Sequence, residues 1–177
     1  AAAAQEIFGR ARGAFYRIEL FKRDFFQKDL VLFLSDKGAL LSSRLPYSIA
    51  DGGVQHFQYA THSEEEKLLF WTAREISAID FTKEATEEIF EKGPRRYTFY
   101  QDGQNIRQAF WAYEDSHVLF VDRDKVFLLE TQTPPYLVRE VVQIAPGSRI
   151  IYNEGNRTLY YLDAASRNLI RRKLSET

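Results

Sequence analysis

Apolar residues in this chain fall in short unbroken runs, set in pairs around polar turns. Leu30-Val-Leu-Phe-Leu34 is followed by Ser35-Asp-Lys-Gly38 and then by Ala39-Leu-Leu41. Leu68-Leu-Phe-Trp71 precedes Glu75-Ile-Ser-Ala-Ile79. Val118-Leu-Phe-Val121 is separated from Val126–Leu129 by Asp122-Arg-Asp-Lys125, and Ile150–Tyr152 is followed by Leu159–Leu162. Short apolar runs rich in β-branched and aromatic residues, bounded by Gly, Asp or Asn, predict strands, and their pairing predicts hairpins. Gly38 can supply the positive φ that a tight hairpin turn requires.

Further strands are predicted at Phe15–Phe21, Val54–Thr61, Tyr136–Ile144 and Asn168–Leu174. Arg96–Tyr100 and Ile106–Tyr113 read as one hairpin around Asp102-Gly103. Thr82–Lys92 reads as either a helix or an outer strand. Gly93-Pro94, Pro134-Pro135 and Pro146-Gly147 are breaks.

Successive side chains of a strand point to opposite faces. A sheet with one face in water therefore alternates apolar and polar residues, and these runs do not. They predict antiparallel sheets covered on both sides. The unit of apolar run, turn, apolar run, break and outer strand recurs about every 40–50 residues, the spacing of propeller blades. The expected fold class is all-β, with antiparallel blade-like sheets in a partial or small β-propeller. A β-sandwich is the alternative. Residues 1–13 read as a lead-in or linker, and 14–177 as the β domain, able to form part of a larger ring.

Composition sharpens this picture in a few places. Aromatics make up 15% of the 177 residues, with 14 Phe and 10 Tyr, which suits strands. A formal net charge of −1 provides no global field, and this argues against nucleic acid or acidic lipid as partner. The chain has no Cys, so it has no disulfide and no thiolate chemistry. It also has no Met, and so reads as processed or truncated. No apolar run reaches the ~18 residues of a membrane span. Ala1–Ala4 lacks the basic start and apolar centre of a signal peptide.

The candidate chemistry is sparse. Trp71, Trp111 and Tyr113 could line a ligand site, with sugars the natural class for aromatic platforms, although aromatic residues on strands also build cores. Arg95, Arg96, Arg171 and Arg172 are the candidates for nucleic acid, in a basic and aromatic setting. His56 and His62 share a strand face but stand too far apart along it to hold one ion. Asp122, Asp124 and Asp163 read as turn residues that bond nearby backbone. Glu64-Glu-Glu66 and Glu87-Glu88 read as solvated. Asn156-Arg-Thr158 is a glycosylation acceptor pattern. No nucleophile elbow, phosphate loop or His-Glu-x-x-His motif is present, and no residue pattern implies a metal or a cofactor.

Arg149-Ile-Ile-Tyr-Asn-Glu-Gly-Asn-Arg-Thr-Leu-Tyr-Tyr-Leu-Asp163, followed by Arg167-Asn-Leu-Ile170, resembles a propeller blade of the YVTN or WD40-like kind. The similarity is to the degenerate form found with PEGA modules in bacterial envelope proteins, and it covers Leu30 to Leu174. The Gly-His and Trp-Asp signature of WD40 blades is absent. The resemblance implies a non-enzymatic protein-binding or assembly module, a structural component of a cell envelope or large complex. Alternatives are a glycan-binding or glycan-hydrolysing propeller and a nucleoprotein assembly subunit. It favours a cell-envelope or extracellular setting and carries over no catalytic residue. Open sheet edges would pair with a protein partner or a second copy.

Overall fold

The computed structural model describes residues 15–21, 29–62, 65–81 and 95–175, with the side chains of residues 15, 16, 61 and 62 excepted. The expected lead-in at 1–13, the segment read as helix or outer strand at 82–92, and Glu87-Glu88 lie outside the described residues.

The chain is all-β and builds four antiparallel sheets in sequence order. The first contains β1 (Phe15–Phe21), β2 (Leu30–Ser35), β3 (Leu40–Ser42) and β4 (Ser48–Ala50). The second contains β5 (His56–His62), β6 (Glu65–Trp71), β7 (Ile76–Asp80) and β8 (Arg95–Tyr100). The third contains β9 (Ile106–Ala112), β10 (His117–Asp122), β11 (Lys125–Glu130) and β12 (Val138–Gln143). The fourth has three strands, β13 (Ile151–Asn153), β14 (Thr158–Leu162) and β15 (Leu169–Lys173). Each sheet is a meander in which every strand pairs with the next.

Three apolar cores lie between successive sheets, and the unbroken runs explain why. On β6, Leu68 and Phe70 enter the core shared with the first sheet, while Leu69 and Trp71 enter the core shared with the third. On β10, Val118 and Phe120 face the second sheet, and Leu119 and Val121 face the fourth. The middle sheets are thus covered on both faces, but the expectation of cover on both sides fails for the first and fourth, which stand at the ends of the stack and leave Ile18, Leu20, Ile151 and Leu169 exposed. The turn at Gly38 adopts φ +76°, as the sequence predicts.

The first strands of successive sheets are tied directly together. The third residue of each reaches across to the next. Arg17 of β1 donates to the Phe57 carbonyl at 3.2 Å. Gln58 of β5 accepts the Trp111 N–H at 3.0 Å. Gln108 of β9 bonds the backbone of Ile150, just before β13. The later strands have their own ties, from Arg96 of β8 to the Ile49 carbonyl at 3.2 Å and from Arg172 of β15 to the Val141 carbonyl at 3.0 Å.

Two further expectations are corrected. Residues 96–113 do not form one hairpin: β8 pairs with β7, and β9 pairs with β10. The Asp102-Gly103 turn instead carries the chain from one sheet to the next. Gly103 N–H and Ile106 N–H donate to the carbonyls of Arg74 and Ala73 in the β6–β7 turn, at 3.0 and 2.9 Å. A Cβ on Gly103 would lie 2.5 Å from Ile106 Cδ1 and 2.8 Å from the Arg74 oxygen, which is why glycine stands there. The second correction concerns Glu66, which is not solvated. It is buried, with Arg44 of the first sheet 3.7 Å away. Glu64 lies outside the described residues.

Candidate functional site: a cleft between the second and third sheets

A cavity of about 380 Å³ opens between the second and third sheets at the end where β6 begins and β7 and β11 finish. Tyr97 and Phe99 of β8 and Trp111 of β9 form its aromatic wall. Trp111 and Phe99 meet edge to face at 6.3 Å, and Tyr97 lies nearly parallel to Phe99 at 6.0 Å. The Trp111 indole N–H is buried and has no hydrogen-bond partner among the described residues.

The polar side of the cleft is organised by Lys67. Its ammonium lies 2.5 Å from Glu65 on the same strand and 2.8 Å from Asp115 of the β9–β10 turn. Burial pushes the Lys67 pKa down, but the two carboxylates outweigh it, and the net shift is upward. Lys67 therefore stays charged. Asp80, Ser116, Thr131 and Gln132 complete the lining.

Asp115 is held in place by an uncommon backbone. Tyr113, Glu114 and Asp115 have φ values of 53°, 55° and 63°, three consecutive non-glycine residues in the left-handed region. Such a conformation persists only where surrounding bonds over-determine it. Here Ser116 N–H donates to the Tyr113 carbonyl, Thr131 Oγ1 to the Asp115 carbonyl and Glu114 N–H to Glu154 Oε1.

Of the expected ligand aromatics, only Trp111 lines this cleft. Trp71 is buried in the same inter-sheet core, where its ring stacks on His56 at 5.4 Å. Tyr113 belongs to the next core, between the third and fourth sheets, with the Arg157 guanidinium 5.3 Å from its ring. The arginines do not come together either. Arg95 and Arg96 lie on β8 and Arg171 and Arg172 on β15, with the third sheet between. Arg95 lies over the Tyr97 ring at 5.0 Å and Arg96 over Phe70 at 5.2 Å.

The turn carboxylates act on backbone, as their positions suggest. Asp122 accepts the N–H groups of Gln104 and Asn105, and Asp124 accepts that of Gly147. Asp163 accepts from Ser166 and Ala165, and the Ser166 bonds hold its pKa below the usual carboxylate value. Among the described residues no group of three or more His, Asp or Glu side chains is placed to hold a metal. No described helix is long and apolar enough to cross a membrane. His56 has its pKa lowered, first by burial and then by Arg17. Arg149, which precedes the fourth sheet, adds a smaller effect in the same direction.

The sequence carried some signal for Lys67, which ends the run Glu64-Glu-Glu-Lys67. It carried none for Asp115, whose partner is distant along the chain and whose turn has no glycine. In comparisons with known proteins, no family model, no curated protein and no solved structure matches this chain.

Proposed function

We propose that this chain is a non-enzymatic protein-docking and assembly module made of propeller-like blades. It packs head to tail against a second copy of itself. The observation behind this reading is that both end sheets have apolar outer faces. On the first sheet Ile18 and Leu20 are 60% and 53% exposed, and they pair in register with Phe33 and Val31. On the fourth sheet Ile151 and Leu169 are 68% and 71% exposed, and Leu162 lies beside Leu169. Each observed interface sets the later face of one sheet against the earlier face of the next. The two ends carry one face of each kind, so a second copy extends the same stacking rule. Exposed apolar side chains grouped on one face, here with Arg171 among them on the fourth sheet, mark interaction sites, and a contact between unlike faces is heterologous. Radial blades also agree with the converging first strands. The binding of Asp122 and Asp163 into separate turns gives no support to a glycoside-cleaving pair.

Solution mass by light scattering across a concentration series tests this. The unaltered chain is expected to associate as concentration rises. Ile18→Asp with Leu20→Asp, or Ile151→Asp with Leu169→Asp, is expected to leave monomers. Mixing these two variants should restore a dimer, because each retains the face the other has lost. A chain that stays monomeric at every concentration overturns the proposal, and so does a mixture that fails to pair.

A further inference from the structure

We infer that the cleft between the second and third sheets is a binding site for a neutral polyhydroxylated ring, the chemistry of a mono- or disaccharide. The inference does not depend on the assembly reading, because the cleft lies inside one chain and away from both end faces.

Size and wall chemistry come first. About 380 Å³ falls within the range of small-ligand cavities, which pair an apolar wall with a few fixed polar groups. Tyr97, Phe99 and Trp111 supply the wall. A sugar ring presents a C–H face to such a surface and hydroxyls around its rim.

Charge then decides between ligand classes. Glu65 and Asp115 outnumber Lys67, the ammonium they share, so an anion meets net repulsion. A cation fares no better. Lys67 already occupies the position between Glu65 and Asp115, at 2.5 and 2.8 Å, and a second ammonium would have to displace it. A neutral polyol needs no displacement. Two Lys67 protons are engaged, which leaves a third to donate. The Glu65 and Asp115 carboxylates keep lone pairs that accept hydroxyl protons, and Gln132 both donates and accepts, while the Ser116 hydroxyl is committed to the Tyr113 carbonyl at 2.7 Å.

The strained turn gives independent support. Three successive residues in the left-handed region have an energetic cost, and what they achieve is the placement of Asp115 against Lys67. Strain of this kind concentrates at ligand clamps.

The test uses the full chain and a panel of neutral mono-, di- and trisaccharides, with choline and inorganic phosphate as charged probes. Binding is read by titration calorimetry and by tryptophan fluorescence. At least one sugar of the panel is expected to bind, and neither charged probe is. Tyr97→Ala, on the half-buried ring, and Gln132→Ala, on an exposed side chain, should each weaken that sugar about tenfold or more while melting remains cooperative. The Gln132 variant leaves the core untouched and keeps the test valid if the Tyr97 variant does not fold. No response to any sugar at about 10 mM overturns the inference. Binding of choline or phosphate in place of sugar also overturns it, as does sugar binding that Gln132→Ala leaves unchanged.

Discussion

Gln108 holds Ile150 by both of its backbone groups. Its Oε1 accepts the Ile150 N–H at 2.9 Å, and its Nε2 donates to the Ile150 carbonyl at 3.4 Å. A side-chain amide carries the same donor and acceptor as a peptide group, so it can stand in for a missing strand partner. Ile150 is buried, and its backbone would otherwise be desolvated without compensation. Gln108→Leu should therefore cost about 1–3 kcal/mol. Gln108→Glu should recover little, since a carboxylate cannot donate and would repel the carbonyl. Urea unfolding checks this: a midpoint unmoved by Gln108→Leu would show that the Gln108 amide adds nothing to the hold on the fourth sheet.

Gly38 and Gly147 both have positive φ, +76° and +71°, but their surroundings differ. A Cβ on Gly38 would lie 2.5 Å from the Val54 nitrogen and 2.7 Å from the Val54 oxygen, and backbone atoms cannot easily move aside. Gly147 has nothing within 4 Å. Gly147→Ala should lose only the conformational term, about 1–2 kcal/mol. Gly38→Ala should lose that and the clash, on the order of 4 kcal/mol or more. Equal shifts in the two melting curves would contradict this assignment.

Phe120 is fully buried, between Tyr100 at 5.0 Å and Phe127 at 5.2 Å. Phe120→Ala should cost about 3–5 kcal/mol through lost burial and the cavity left behind. Leu169→Ala, on the open face of the last sheet, should fall within about 0.5 kcal/mol in dilute monomeric protein. Chemical denaturation of the pair would reveal whether the inter-sheet cores carry the stability.

His56 gives stability a pH dependence. Burial and the Arg17 guanidinium lower its pKa in the folded chain below the ordinary imidazole value of 6.5. The unfolded chain therefore binds the proton more readily, and acid favours unfolding. The contribution to stability is intact above the unfolded value of 6.5. It falls away as pH drops from there to the folded pKa, below which the loss is complete. His56→Gln should flatten the stability profile in that window. A profile of the same slope with and without the histidine would remove this group from the account.

Much of the architecture was legible because it depends on local pattern. Leu68-Leu-Phe-Trp71 and Val118-Leu-Phe-Val121 place side chains on alternate faces by strand geometry alone, so continuous apolarity required cover above and below. The turns at Gly38 and Asp163 were likewise written in residues with a conformational or hydrogen-bonding reason to be there. Strand partnership was harder to read. Arg96–Tyr100 and Ile106–Tyr113 flank an Asp-Gly turn as any hairpin would, yet that turn docks on Arg74 and Ala73 and sends the two strands into different sheets.

The sequence by itself determined that this chain folds as short antiparallel sheets and that the middle two are shielded on both sides, because the period of two is a property of the extended backbone. Tertiary structure alone decided which aromatics line the cleft, placing the buried Trp111 in its wall and Trp71 beside His56. It also brought Asp115 to Lys67 and Gln108 to Ile150, and buried Glu66 near Arg44. Such contacts join residues far apart along the chain, and Coulomb and hydrogen-bond forces act over distances in space that the linear order of residues does not encode.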